Sequence, residues 1–425
     1  MSFKQEGAII HPYSYCRVNS FIDPDTSDDR GVIAIYEILS QVFSLDTMNR
    51  LFLKVAESSR WKEETQRYNY NRIPRLIALQ EAILTGKYRP SPTRGFITVE
   101  RGVARYIAND VMDDKIVNAV IHDQVLLPAI RPKLIYDNSA SLEGRGPDHF
   151  RDRLVLHLKE YAYHYGNDGY ILLLDFRKYF DNIQHEKLIK MWADLLQVPE
   201  LVNFVTMLIN HNIVDVSYMT DEEYANCMNV PFIALDYHLQ VDSGLIECTG
   251  KRFMRKSMNL GSVVSQDAGI YYPHRIDNYI KIVQSIRGYG RYMDDSYIIH
   301  HDKQYLWWLL EQITKICAEY GIFINTKKTQ VVSLKHEFSI LKTRYKLFPN
   351  GSVKVMPNND SFKREKRTLD KYLDLCEDNI IDIDYVKRSY MSWRGAAIKR
   401  NGGNPNTTAY TDSYFNKLFA LKEVS

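Results

Sequence analysis

Apolar residues recur at helical spacing over about residues 43–87, with Val42, Phe43, Leu51, Phe52 and Val55 on one stripe and Ile73, Ile77, Leu79 and Ile83 on a second. Gly86 and Pro90 end that stretch. Residues 95–108, GFITVERGVARYIA, read as two short strands around Arg101 and Gly102, and residues 113–127 as a helix closed by Pro128. A loop at 144–147 and a helix over 148–165 follow. The run GYILLLD, residues 169–175, is short, apolar and ends in a charge, the pattern of a buried strand.

Further along, the pattern predicts a helix over 185–196, a helical stretch over 262–283 broken near Pro273, and strand, turn and strand over 289–300. A helix over 303–320 and strands to about residue 356 come next. Apolar spacing at Phe362, Leu369, Tyr372 and Leu373, then Tyr385, Tyr390, Trp393 and Ile398, predicts a helical C-terminal unit. Two segments lack a clear period. Residues 1–40, with Pro12, Pro24 and the polar run 25–30, read as an irregular extension, and residues 211–258 as an irregular β insertion.

Composition narrows the class. The 425 residues are 45% hydrophobic and 12% aromatic, enough for a sizeable core. Lys and Arg total 55 against 52 acids, a net charge of +3, so any basic groove must come from local arrangement. The five cysteines have neither disulfide-framework nor zinc-site spacing. No signal-peptide apolar region and no run of 18 apolar residues is present, so a soluble cytoplasmic protein without a membrane partner is expected.

The candidate chemistry lies in three carboxylates. Nucleotidyl transfer needs two divalent ions about 4 Å apart to align the attacking hydroxyl and the triphosphate, and hard cations such as Mg²⁺ take carboxylate oxygens. Asp175 ends a buried strand, and Asp294 with Asp295 falls between GYGRYM and SYIIHH, two half-strands of a hairpin. Adjacent acids also occur at Asp28 and Asp29 and at Asp113 and Asp114, where a surface turn and a helix N-terminus account for them.

The motifs then become specific. Tyr292, Met293, Asp294 and Asp295 match the Tyr-x-Asp-Asp pattern of reverse transcriptases, and LDFRKYFDNI, residues 174–183, resembles their first catalytic motif. In the same order as in that family, KYRPSPTRGFITVERGVARYIA resembles the fingers strands, DNSASLEGRG the next fingers motif and NLGSVVSQ, residues 259–266, the motif lining the templating pair. INTKKTQVV resembles the motif near the leaving pyrophosphate, FSILKTRYKL the primer grip, and SYMSWRGAAIKR a thumb helix of prokaryotic members. The resemblance covers about residues 45–400.

It implies an α+β right-hand polymerase: an N-terminal extension over 1–42, fingers over 43–168, a palm of antiparallel sheet flanked by helices over 169–335 with an insertion at about 211–258, and a primer grip and helical thumb over 336–425. It implies two Mg²⁺ ions, with Mn²⁺ as a substitute, held by Asp175, Phe176, Asp294 and Asp295. Arg105, with Arg101 beside it, falls where the family contacts the triphosphate, and Phe180 where an aromatic crowds a ribose 2′-hydroxyl. Phe176, Gly261, Gln266, Tyr292 and Met293 join the substrate site, and Lys328 stands near the leaving pyrophosphate. Four of these have a plainer alternative: for Arg105 a solvated strand arginine, for Phe180 a core phenylalanine unless Tyr179 takes the core role, for Gly261 a helix N-terminus, and for Lys328 an exposed Lys327–Lys328 pair. Lys363, Arg364, Lys366, Arg367, Lys387, Arg388, Arg394, Lys399 and Arg400 read either as a clamp on duplex phosphates or as solvated helix faces.

Leu260, Gly261, Ser265 and Gln266 replace the Pro-Gln-Gly form of group II intron enzymes and are similar to diversity-generating retroelement and defence-associated bacterial reverse transcriptases. The expectation is an RNA-directed DNA polymerase that makes cDNA from dNTPs on a bound structured noncoding RNA, holding an RNA/DNA duplex, in anti-phage defence. Diversity generation, intron-type activity, a non-catalytic RNA-binding scaffold and a protein-primed terminal transferase are the competing readings. Sequence leaves the oligomeric state open.

Overall fold

The computed structural model describes residues 29–92, 94–100, 103–401 and 403–419, without the side chains of 29–35, 94, 100 and 103. Its chain packs as two compact units. One comprises residues up to Glu143, Phe176–Ser285 and Leu310–Asn325; the other comprises Gly144–Asp175, Ile286–Leu309 and Thr326–Ser425. These units cut across the linear boundaries drawn from the motifs, because adjacent strands of the central sheet come from distant stretches of sequence.

In the first unit, helices Leu45–Ala56, Glu63–Tyr70 and Arg72–Leu84 bury Leu51, Phe52, Tyr68, Leu76, Leu79 and Ile83; of the positions read from the sequence as apolar stripes, Ile73 and Ile77 are exposed instead, and Leu76 takes the inward face between them. Strands β1 (Arg94–Glu100) and β2 (Val103–Asn109) form an antiparallel hairpin in which Thr98 faces Arg105. The helix starting at Met112 does not stop at Pro128. A π-turn at His122–Leu126 interrupts it, and Leu127–Ile130 continues with Pro128 in its first turn, where a missing N–H costs nothing.

Two expectations need correction. Residues 1–28 lie outside the described residues, but Asp29–Val42 is a helix rather than irregular chain, since Val32, Ile35, Leu39 and Val42 keep helical spacing behind the polar run. The segment 211–258 is not mainly β. Strands β3 to β5 are, in chain order, Tyr170–Asp175, Val214–Asp215 and Phe253–Met254, and the last two merely staple its ends. Between them stand helices Asp221–Asn226, begun by a Thr220–Glu223 capping box, and Ala234–Asp242. Its small core of Val216, Cys227 and Met254 is too sparse to show a period in the sequence.

The second unit contains the main sheet. With β6 (Tyr289–Tyr292), β7 (Asp295–His300) and β8 (Gln330–Ser333), the strand order is β6-β7-β3-β8, and all neighbours pair antiparallel. Helix Pro147–Tyr165 covers one face, packing Phe150, Leu154 and Leu158 against Ile171, Leu173, Tyr297 and Ile299. A second sheet of β9 (Phe338–Ile340), β10 (Thr343–Leu347) and β11 (Val353–Pro357) turns at Leu341 and Lys342, both in the left-handed region at φ 46° and 61°. Helices Asn359–Glu377, Ile383–Arg400 and Ala409–Phe419 then bundle around Leu369, Val386, Tyr390 and Phe415.

Candidate active site

Strand β3 carries a continuous apolar run because both its faces are covered, and the first residue that breaks the run is Asp175. Antiparallel pairing places Asp175 directly opposite Asp295, with Leu174 opposite Ser296. Side chains so paired have Cβ atoms about 4.5–5.5 Å apart. Tyr292 pairs with Asp295 across β6 and β7, so Met293 and Asp294 are the whole turn, and Met293 takes φ 54° to close it. The sequence order Tyr-Met-Asp-Asp thus becomes two carboxylates at a hairpin tip beside a third at a strand end.

The electrostatics of this tip are strained. Burial, then the charges of Asp294 and Asp175, push the Asp295 carboxyl up to about 7. Lys328 Nζ donates to Asp175 Oδ2 at 2.7 Å. Desolvation works against that ammonium, but Asp175, Asp295 and Asp294 together hold its pKa above the ordinary lysine value. Thr329 Oγ1 accepts the Asp175 backbone N–H at 3.4 Å. Among the described residues no group of three or more His, Cys, Asp and Glu side chains forms a ready metal cluster. The donor chemistry nevertheless fits a hard cation, since clustered carboxylates that repel one another gain most from a divalent charge.

Sequence reasoning missed Arg291. It is fully buried, and its guanidinium donates to the Met293 carbonyl at 3.1 Å, bracing the turn from below. An arginine inside a four-residue strand reads as exposed unless the tertiary partner is known. Tyr292 is half-buried, its ring edge-on to Phe150.

Phe176, Phe180, Gly261, Gln266 and Arg105 belong to the other unit and are described within it. Phe176 is buried against Tyr179, with a backbone bridge to Ile324. Tyr179 is also buried, and its hydroxyl donates to Gly269 O at 2.9 Å; Phe180, one residue on, is only half-buried. Gly261 does more than precede the helix Val263–Tyr271. A Cβ there would stand 2.3 Å from the Ala108 carbonyl of β2. Its N–H is held at 3.0 Å by Asn259 Oδ1, and Asn259 Nδ2 donates to Asp110 at 3.3 Å. Gln266 Oε1 accepts from Ser141 Oγ at 3.2 Å. Arg105 is exposed on β2, and Arg101 lies outside the described residues. Of the basic residues in the C-terminal helices, Arg394 is paired with Asp412 and Lys399 with Asp148, which commits part of that positive charge within the unit.

Comparison with known families matches residues 97–345 to the family described as reverse transcriptase (RNA-dependent DNA polymerase). The chain belongs to the reverse transcriptase family. That family is described as one of RNA-dependent DNA polymerases, and the α+β fold, mixed helix and antiparallel sheet, is consistent with a right-hand polymerase. A comparison with curated protein sequences finds no match. Similar solved structures include a telomerase from Candida albicans in complex with a fragment of telomeric RNA, 13% identical, TM-score 0.40, covering 77% of this chain and 54% of that one. Apo telomerase from Candida tropicalis is likewise 13% identical, with TM-score 0.38, covering 61% and 48%. The chain spans about half the length of these structures.

For this reverse transcriptase the close approach at Gly261 predicts a measurable stability cost. Gly261→Ala must push backbone against backbone at Ala108, so it should destabilise by about 1–3 kcal/mol. Gly146→Ala, whose added Cβ meets nothing within 4 Å, should leave Tm unchanged. Equal melting temperatures for the two variants would contradict the packing described.

Proposed function

We propose that this chain polymerises dNTPs into cDNA on a bound structured noncoding RNA, and that Asp175, Asp294 and Asp295 hold two divalent ions, Mg²⁺ or Mn²⁺. The pairing of Asp175 with Asp295 across β3 and β7 beside the Asp294 turn is the observation that carries it. Phe176, whose side chain carries no ligand atom, would join the ligand set through its backbone carbonyl. Such ions align a 3′-hydroxyl with the triphosphate and offset the charge that develops between them. The chain's own part is positional. Arg291 fixes the turn, Thr329 the end of β3, and Lys328 balances Asp175 until an ion does.

Fingers over 43–168, palm over 169–335 and thumb over 336–425 are the division we assign to it. Arg105 and Arg101 take the triphosphate, Phe180 the sugar, Gly261 and Gln266 the templating pair. The Leu-Gly-x-x-x-Ser-Gln form of the 260–266 motif speaks against intron mobility and is similar to both diversity-generating and defence-associated enzymes; of these we favour a cytoplasmic role in bacterial anti-phage defence, on the overall resemblance. Retention of all three carboxylates favours an enzyme over an RNA-binding scaffold.

Two measurements test this. Primer extension on a defined RNA template should stop with EDTA and return with Mg²⁺ or Mn²⁺; extension that persists in chelator would refute the two-ion site. Sequencing the nucleic acid that copurifies from cells should return one abundant structured RNA and its complementary DNA. A preparation free of any specific RNA would remove the stable-template part of the proposal and leave the chemistry standing.

A further inference from the structure

The segment 211–258 has no role in the reading so far, yet within its unit it is tied to both stretches assigned to the nucleotide. The residues after Phe180 hold one side of it. Asn182 Oδ1 accepts the Phe232 N–H at 2.8 Å while its Nδ2 donates to the Phe232 carbonyl at 3.1 Å. Asp181 accepts the N–H of Ala234, the first residue of helix Ala234–Asp242, at 3.1 Å.

The other side rests on the β1–β2 hairpin. His238, one turn into that helix, lies flat on Tyr106 of β2, with ring centroids 3.4 Å apart and planes 12° from parallel. Tyr237 backs His238 edge-on at 5.0 Å and 73°, and is itself fixed by its hydroxyl on the Asp215 carbonyl at 3.0 Å. Room for this stack comes from a glycine. Gly95 pairs with Ala108, diagonal to Tyr106, and a Cβ at Gly95 would stand 1.6 Å from the Tyr106 hydroxyl oxygen.

We propose that helix Ala234–Asp242 is a brace, joining the Phe180–Asn182 turn to the fingers hairpin through the His238–Tyr106 stack, so that His238 is a positioning residue for the incoming nucleotide. Adjacent strand residues point to opposite faces, so pinning Tyr106 on one face sets where the neighbouring Arg105 projects on the other. A two-stranded hairpin has little stability of its own, and this one leaves Phe96, Ile97 and Val99 exposed, so its position depends on what holds it. The inference rests on the reading of Arg105 and Phe180 as nucleotide contacts.

The test uses the full chain with His238→Ala, His238→Phe, Gly95→Ala and, as a separate probe of that reading, Arg105→Ala. Hydrogen exchange over residues 94–109 reports the brace, and single-dNTP incorporation on an RNA template reports its consequence. His238→Ala should speed exchange of the hairpin and raise the dNTP KM about 5-fold, in line with the worth of one aromatic stack, with kcat changed less than about 2-fold. His238→Phe should restore both. Gly95→Ala, which displaces the Tyr106 ring, should mimic His238→Ala and add nothing to it in the double variant. Unchanged exchange in both His238→Ala and Gly95→Ala overturns the brace. Faster exchange with an unchanged KM overturns the positioning role when Arg105→Ala raises KM; if Arg105→Ala leaves KM unchanged too, the triphosphate assignment to this hairpin is what fails.

Discussion

Asp294→Asn combined with Asp295→Asn should abolish primer extension, by on the order of 10³-fold or more, a loss of about 4 kcal/mol of transition-state stabilisation. The same protein should remain folded and bind RNA. Its stability offers a sharper test than its inactivity. In the wild type, burial and the neighbouring carboxylates hold Asp295 up to about 7 from an ordinary aspartate value of 3.8. The folded chain therefore binds a proton between about pH 4 and 7 that the unfolded chain has released, and the contribution of Asp295 to metal-free stability falls as pH rises through that window. Asparagine removes both the repulsion and the slope. Melting measured in chelator should show the double variant at or above wild-type Tm at pH 7, with the difference shrinking toward pH 4. A variant that melts well below wild type at pH 7 would mean these side chains act as structural partners rather than as a strained site.

Phe180→Ala should reduce the preference for dNTPs over rNTPs by about 10-fold or more, equivalent to about 1.4 kcal/mol. The motif leaves two adjacent rings to choose between, and the structure separates them. Tyr179 is buried with its hydroxyl on Gly269, whereas Phe180 is only half-buried. Truncating Tyr179 removes a packed ring and an internal hydrogen bond, so Tyr179→Ala should cost about 3–5 kcal/mol of stability. Single-nucleotide incorporation of dGTP and GTP by both variants separates the roles. Full selectivity in Phe180→Ala with lost selectivity in Tyr179→Ala would place the sugar contact one residue earlier.

Sequence alone determined the features that repeat along the chain or depend on nearest neighbours. Buried strands appear as apolar runs, so Tyr170–Asp175 was legible, and helix Lys303–Tyr320 had its full period. The three carboxylates were found for the same reason, since each interrupts or ends a β pattern. Pro128 misled because the rule that proline ends helices holds for the residues before it, and a π-turn there let the chain resume. The insertion misled because a core of a few residues leaves no periodicity to read.

Only the tertiary structure decided which side chains serve one another. Strand order β6-β7-β3-β8 puts Asp175 opposite Asp295, although 119 positions of numbering separate 175 and 295. The same pairing turns Arg291 inward beneath Met293 and brings Lys328 to Asp175, while within the other unit the fold sets Gly261 against Ala108. Local sequence encodes backbone preference and the spacing of apolar residues, whose energies act between near neighbours. Contacts between polar side chains far apart in the chain depend on register, and register is fixed only when the whole apolar face is buried at once.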